Sequence, residues 1–260
     1  MRRFADITKA AAALALVAFA WAGTPALAQN ADSAKVAVVE LFTSQGCSSC
    51  PPADRILGEI AAEPNVLALS LNVDYWDYLG WKDTLGSPEH SRRQRDYAIR
   101  RGDGRVYTPQ MVVAGNNHVV GSYKGRVTSE IRSVLAKPDS AFVPVSVTTQ
   151  NQEVTIDIGE AGRDVSAKDA TIWLMLVSRK VSQKIKRGEN RGREIVYHNV
   201  VRKMLPVGMW HGKPMTLSLP KSSLMADGVE DCVAVLQVDG TGPIIGASML
   251  QNMTKKTASN

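Results

Sequence analysis

Residues 35–71 read KVAVVELFTSQGCSSCPPADRILGEIAAEPNVLALSL, and no other stretch constrains the fold as tightly. Residues 35–42, KVAVVELF, are almost continuously β-branched or apolar, the pattern of a strand buried on both faces. A turn-forming TSQGCSSC follows. Residues 51–63 predict a helix. Pro51 and Pro52 fit its first turn, where a missing N–H would have had no partner, and Ile56, Leu57, Ile60 and Ala61 share one face. Pro64 and Asn65 end it, and residues 66–71, VLALSL, predict a second buried strand. Strand, helix, strand most often builds a parallel sheet with a right-handed crossover. It puts Cys47 and Cys50 where the first strand hands over to the helix.

Residues 72–86 form an aromatic-rich loop carrying Tyr75, Trp76 and Trp81. Ser87 and Pro88 open a second helix that runs to Arg101 and stops at Gly102. Residues 109–115 and 118–122 predict two short strands joined by a tight turn at Gly115, Asn116 and Asn117, and residues 126–136 a last helix. Near Lys137 and Pro138 the texture changes. Beyond it lie strand-like segments separated by Gly, Pro, Asn and Asp, the last of them CVAVLQVDG, which predict an antiparallel sandwich or sheet. The expected organisation is an α/β domain over residues 29–138 and a β-rich domain over 139–260, ending in a disordered polar tail, KKTASN.

Residues 1–28 predict a signal peptide: Arg2, Arg3 and Lys9, then AAAALALVAFAWAG, then TPALA with Ala26 and Ala28 in the small-x-small cleavage pattern. The apolar run falls short of the about 20 residues of a membrane span. The chain is therefore expected in a periplasm or secreted, where thiols pair, bind metal or are actively kept reduced. Cleavage removes three positive charges and one negative, lowering the formal net charge from +6 to +4. That mild excess makes no case for nucleic acid or membrane partners. Three cysteines cannot all pair within one chain, so this is no disulfide framework.

A thiol–disulfide couple needs one sulfur that ionises at working pH and a second close enough to displace the first product. Cys-x-x-Cys at a helix N-terminus meets both demands, because free N–H groups and the positive dipole end lower the pKa of the first thiol. Cys47 is then the exposed nucleophile and Cys50 the resolving thiol. Glu40, in the middle of the apolar strand, is a candidate proton carrier beneath the pair if burial raises its pKa, or a partner for an arginine. Tyr107-Thr108-Pro109-Gln110 stands directly before a strand, where a proline marks an edge, a turn or a cis bond. Trp76 either walls a substrate groove with Tyr75 and Trp81 or seals the two halves together.

Two other uses of the cysteines stay open. Metal binding would take Cys47, Cys50 and a ligand from His90, His118, His198 or His211, with His118 placed best and Cu(I) the metal that sulfur suits. A purely structural disulfide would make the chain a binding module. Cys232 alternates with Ala234, Leu236 and Val238 on an apolar face, as an inert core cysteine or a further redox partner. Arg92, Arg93, Arg95, Arg100, Arg101 and Arg105 form a solvated face or a field around the thiolate. The tract KIKRGENRGREIVYHNVVRK reads as a hairpin loop, either plain or built for docking a partner.

A strand, Cys-x-x-Cys at a helix start, a later Thr-Pro before a strand, a hairpin and a final helix together resemble the thioredoxin superfamily. The strings VVELFTSQGCSSCPPAD, VDYWDYLGWKD, YTPQMVV and HNVVR are similar to one family of exported bacterial proteins grouped with thioredoxins and catalogued as of unknown function. The resemblance implies an α/β thioredoxin-like domain with a β-rich antiparallel C-terminal half. It implies that Cys47 attacks, Cys50 resolves, a cis Pro109 beside Thr108 shapes the substrate groove, and Glu40 moves protons. The partners it implies are protein or small-molecule thiols and disulfides and a dedicated redox partner, with no organic cofactor. Gly46 stands where thioredoxins carry an aromatic before the first cysteine, and Ser48-Ser49 separates the pair, so neither potential nor direction of electron flow carries over.

Overall fold

The computed structural model describes residues 35–253. The expected signal peptide, residues 1–28, and the KKTASN tail lie outside the described residues. Strand β1, Ala37–Thr43, leads through the cysteine loop into helix α1, Pro51–Ile60, and strand β2, Val66–Asn72. β1 and β2 pair in parallel, from Ala37 opposite Val66 to Thr43 opposite Asn72. Helix α2, Pro88–Arg101, is capped by Ser87, whose hydroxyl accepts from the Glu89 N–H at 3.1 Å. It ends at Gly102, whose φ of 75° is open to glycine at little cost. Strands β3, Gln110–Val113, and β4, Asn117–Val120, then form a hairpin, and helix α3, Lys124–Leu135, follows.

Strands from both sides of residue 138 share one mixed eight-stranded sheet. Strand β7, Ala170–Lys184, and strand β8, Glu194–Trp210, form a long antiparallel hairpin, with β10, Asp231–Val238, and β11, Ile244–Leu250, beside β7. The strand order is β11-β10-β7-β8-β2-β1-β3-β4. β8 meets β2 at one bridge, Ser70 opposite Val200, reinforced by Ser70 Oγ donating to His198 O at 2.9 Å and Asn199 Nδ2 donating to Ala68 O at 2.9 Å. Strands β5, Val145–Gln150, β6, Glu153–Ile158, and β9, Met215–Pro220, form a second, antiparallel sheet.

The pleat divides the core. Val38 and Phe42 of β1 pack with Tyr97 of α2 and with Met175 and Val177 of β7. Ala37, Val39 and Leu41, on the other face, pack with α1 and α3. The second sheet covers that same face farther along, where Ile172, Leu174 and Leu176 meet Val145, Val154 and Ile156. Among the described residues no helix is long and apolar enough to cross a membrane.

Strand β11 has no counterpart among the sequence expectations. Gly246 interrupts its pattern, and the structure gives the reason: a Cβ there would lie 2.5 Å from Val143 O and 2.8 Å from Val145 Cγ2. The glycine lets another backbone cross the strand closely.

Half of the β7–β8 hairpin leaves the body of the sheet. Residues 170–177 of β7 pair with β10 on one side and β8 on the other. Beyond Val177 strand β10 no longer pairs with β7, and the two strands continue together from Ser178 opposite Val200 to Lys184 opposite Glu194, tied to β2 at the single Ser70–Val200 bridge. This arm, roughly 20 Å long at strand rise, carries its tip, residues 185–193, to the cysteine loop. Ile185, Ile195, Tyr197 and Val200 of the arm bury against Leu85 and Trp81 of the aromatic loop.

Candidate functional site

Cys47 and Cys50 are joined in a disulfide, with their Cα atoms 5.4 Å apart. Cys50 is the N-cap residue of α1, and its carbonyl accepts from the N–H groups of Ala53 and Asp54 at 2.8 and 3.1 Å. Cys47 is not the exposed thiol expected from the sequence: it is 2 % exposed and Cys50 fully buried, while Ser48 and Ser49 between them are exposed and carry the loop's surface. The Ser49 hydroxyl lies 3.4 Å from Cys47 Sγ.

Two segments hold this loop, the aromatic loop and the arm tip. Asp83 accepts from the Gln45 N–H at 2.7 Å and from Asn72 Nδ2 at 3.0 Å. Trp81 Nε1 donates to Gln45 Oε1 at 2.8 Å. From the arm tip, the fully buried Asn190 donates through Nδ2 to Gln45 O at 2.9 Å and to Cys47 O at 2.8 Å, and Arg193 donates to its Oδ1 at 3.1 Å. The Ser48 N–H points to Glu189 Oε2 at 3.3 Å.

The first turn of α1 carries a carboxyl that the sequence reading overlooks. Asp54, one helical turn past Cys50, is 1 % exposed. Thr43 Oγ1 donates to its Oδ1 at 2.8 Å, and Oδ2 has no hydrogen-bond partner in the protein. Burial pushes its pKa up to about 8, the Asp83 charge adds to this, and the Thr43 bond holds it back. Two further buried oxygens, Asn72 Oδ1 and Tyr197 Oη, are likewise unpartnered. Burial, and after it the charges of Asp54 and Asp83, keep the Tyr197 phenol protonated. A cleft of about 760 Å³ between α1 and the arm is lined by Asp54, Arg55, Gly58, Arg193, Ile195 and His198, among others.

The structure distributes the other expected site residues in two directions. Thr108–Pro109 is a cis peptide bond. Because Phe42 pairs with Gln110 in antiparallel register, this bond stands beside the end of β1 that enters the cysteine loop. Trp76 spans the gap: its Cβ would be 3.1 Å from a Cβ at Gly46, and its Nε1 donates to Thr108 Oγ1 at 2.8 Å. Trp81 instead packs against the arm. Glu40 lies on the opposite face of the sheet from α1. There it accepts from Arg93 Nε at 2.6 Å and from the Tyr97 hydroxyl, with Gln237 completing the buried network through Arg93 and Tyr97. Of the two roles the sequence leaves open for Glu40, proton carrier beneath the pair or partner for an arginine, the structure shows the arginine pairing.

Each histidine has its own surroundings. His90 Nδ1 bonds Asn72 O at 2.8 Å, His118 lies between Tyr107 and Asp103, His198 packs on Gly58 of α1, and His211 meets Asp169. Among the described residues no cluster of three His, Cys, Asp or Glu side chains could hold a metal ion. Cys232 is fully buried between the two sheets, and burial pushes its thiol up to about 12. Of the α2 arginines, Arg93 holds Glu40, Arg100 meets Asp239 at 3.0 Å, Arg101 meets Asp103 at 3.1 Å, and Arg92 and Arg95 are exposed.

Residues 38–237, which contain the cysteine loop, Asp54, the cis proline and the arm, match the family described as "Protein of unknown function (DUF1223)". The chain belongs to this family. No curated protein matches it. Among solved structures, the crystal structure of a protein from Agrobacterium tumefaciens is similar at 34 % identity and a TM-score of 0.75, over 87 % of this chain and 99 % of that one. HBP35 of Porphyromonas gingivalis is similar in fold, with a TM-score of 0.53 at 13 % identity, over 87 % of this chain and 78 % of its own.

Proposed function

We propose that this DUF1223 protein is an exported thiol–disulfide oxidoreductase whose working couple is Cys47–Cys50. One observation carries the reading: the disulfide opens helix α1, and a buried carboxyl with a pKa of about 8 stands one turn along the same helix. A proton acceptor that titrates near working pH is what the second cysteine of such a pair requires. The order β1-α1-β2-α2-β3-β4-α3 with a cis proline before β3 supports the resemblance to thioredoxins.

In the oxidised protein a substrate thiolate attacks Cys47 Sγ. The Cys47–Cys50 bond breaks, a mixed disulfide forms at Cys47, and Cys50 leaves as a thiolate that takes a proton from Asp54. A second substrate thiolate then attacks the substrate sulfur of the mixed disulfide and displaces the Cys47 thiolate. The substrate dithiol loses two electrons and two protons: the Cys47–Cys50 pair takes both electrons and, at Cys50, the proton from Asp54, which solvent restores, while the second proton stays in solvent or on Cys47 according to its pKa. In the other direction Asp54 accepts the Cys50 proton while Cys50 resolves the mixed disulfide. A partner dithiol or disulfide restores the starting state. The cleft between α1 and the arm gives Asp54 its route for proton exchange with solvent. Pro109, Thr108 and Trp76 flank the loop where a substrate chain would lie.

The test is the reduction potential of the pair in metal-free protein. A value of roughly −120 to −270 mV falls among exchange catalysts and supports the reading. A value below about −300 mV marks a structural disulfide and overturns it.

A further inference from the structure

The arm tip makes a contact that the redox chemistry above does not use. The N–H that follows Cys47, that of Ser48, faces the Glu189 carboxylate at 3.3 Å. In the reduced protein this N–H, in the turn between Cys47 and the start of α1, is a donor that would stabilise a Cys47 thiolate. Glu189 competes for it and brings a negative charge to the residue next to Cys47. Asn190, one residue on, fixes that position through its bonds to Gln45 O and Cys47 O. The tip is otherwise basic, with Lys186, Arg187, Arg191 and Arg193 around it, so a lone carboxylate aimed at the loop stands out. Among the described residues no lysine or arginine forms a salt bridge with it.

We propose that Glu189 tunes the couple: its charge disfavours the Cys47 thiolate and so makes the pair more reducing. Glu189 is a positioning residue, acting through the loop and not on substrate. The proposal deepens the oxidoreductase reading and rests on it for its purpose, but its physical content holds for the disulfide in any role. The sign is fixed, because whatever stabilises the thiolate stabilises the reduced form and raises the potential.

The experiment compares the full mature chain with Glu189→Gln and Glu189→Lys. Each is equilibrated in glutathione and dithiothreitol buffers, so that a potential is obtained whatever its value. Thiolate absorbance gives the Cys47 pKa in the reduced protein. Because Glu189 is exposed at a hairpin tip, both variants are expected to fold. The equilibrium should move toward the dithiol about two- to fivefold in Glu189→Gln and up to about tenfold in Glu189→Lys, the latter being about 30 mV. The Cys47 pKa should fall in the same order, and the differences should shrink at high salt. A merely structural clamp would not follow charge, so coincident potentials, or an order unrelated to charge, overturn the proposal. Should the wild type lie below about −300 mV while the variants still shift in this order, the oxidoreductase reading falls and the assignment of Glu189 stands. Potentials in the catalytic range with no shift among the variants would keep the oxidoreductase reading and remove Glu189 from it.

Discussion

The Asp54 N–H donates to Cys50 O at 3.1 Å, so the buried carboxyl and the second cysteine project from one side of the same helical turn. Replacing that carboxyl by an amide of the same shape removes the proton and little else. In Asp54→Asn the mixed disulfide at Cys47 should persist about 10²-fold longer near neutral pH. Quenched-flow trapping would read this, and an unchanged lifetime would remove Asp54 from the chemistry.

The same residue shapes stability against pH. With its pKa raised from 3.8 to about 8, folded protein keeps a proton that the unfolded chain releases, and stability falls as pH rises from about 4 to about 8. His90, pushed down to about 4 by burial, acts oppositely: stability falls as pH drops from 6.5 toward about 4. Asp54→Asn should lose the first slope and keep the second. Urea midpoints across this range would show it, and parallel curves for the two proteins would contradict the assignment.

Glu40→Leu should leave the fully enclosed Arg93 guanidinium without its counter-charge. The cost expected for breaking such a pair is about 3–5 kcal/mol, with the potential of the Cys47–Cys50 couple unmoved. A variant that stays stable but exchanges slowly would return Glu40 to the role of proton carrier.

Asn190→Ala should leave the enclosed Gln45 O without a donor and Cys47 O with only the Cys50 N–H at 3.2 Å. A loss of about 1–3 kcal/mol is expected, read as a lower Tm. No change would mean that solvent replaces the amide.

Gly246→Ala should force β11 away from the segment at Val143. Overpacking of this kind costs typically about 1–3 kcal/mol. An unchanged denaturant midpoint would show that the two segments separate freely.

The βαβ opening, the cysteines at a helix start and the hairpin with its proline were legible because each is written in local patterns. What was hidden depends on partners far along the chain. Asp54 reads as an acidic residue in a first helical turn, where the dipole favours it. The signal against that reading was position: Asp54 precedes Leu57 and Ile60 at three-residue steps, on the stripe that faces inward. Glu40 alternates with Val38 and Phe42, but nothing local says which face of the sheet receives α1. Asn190 sits in GENRG, a polar string that looks like any exposed tip. Its destination is Cys47, 143 residues earlier.

That separation has a consequence for how the molecule comes into being. The loop around Cys47 is encoded near the start, yet one of its clamps is encoded in the last third, at the end of an arm that must first pair with itself. Such remote pairings form late, since a long closure has to be made before the contact rewards it. A nascent or half-folded chain therefore carries its two sulfurs without the bracket that fixes their setting. Maturation of the couple is in this sense a readout of completed folding, conferred on the loop by a segment 143 residues farther along the chain.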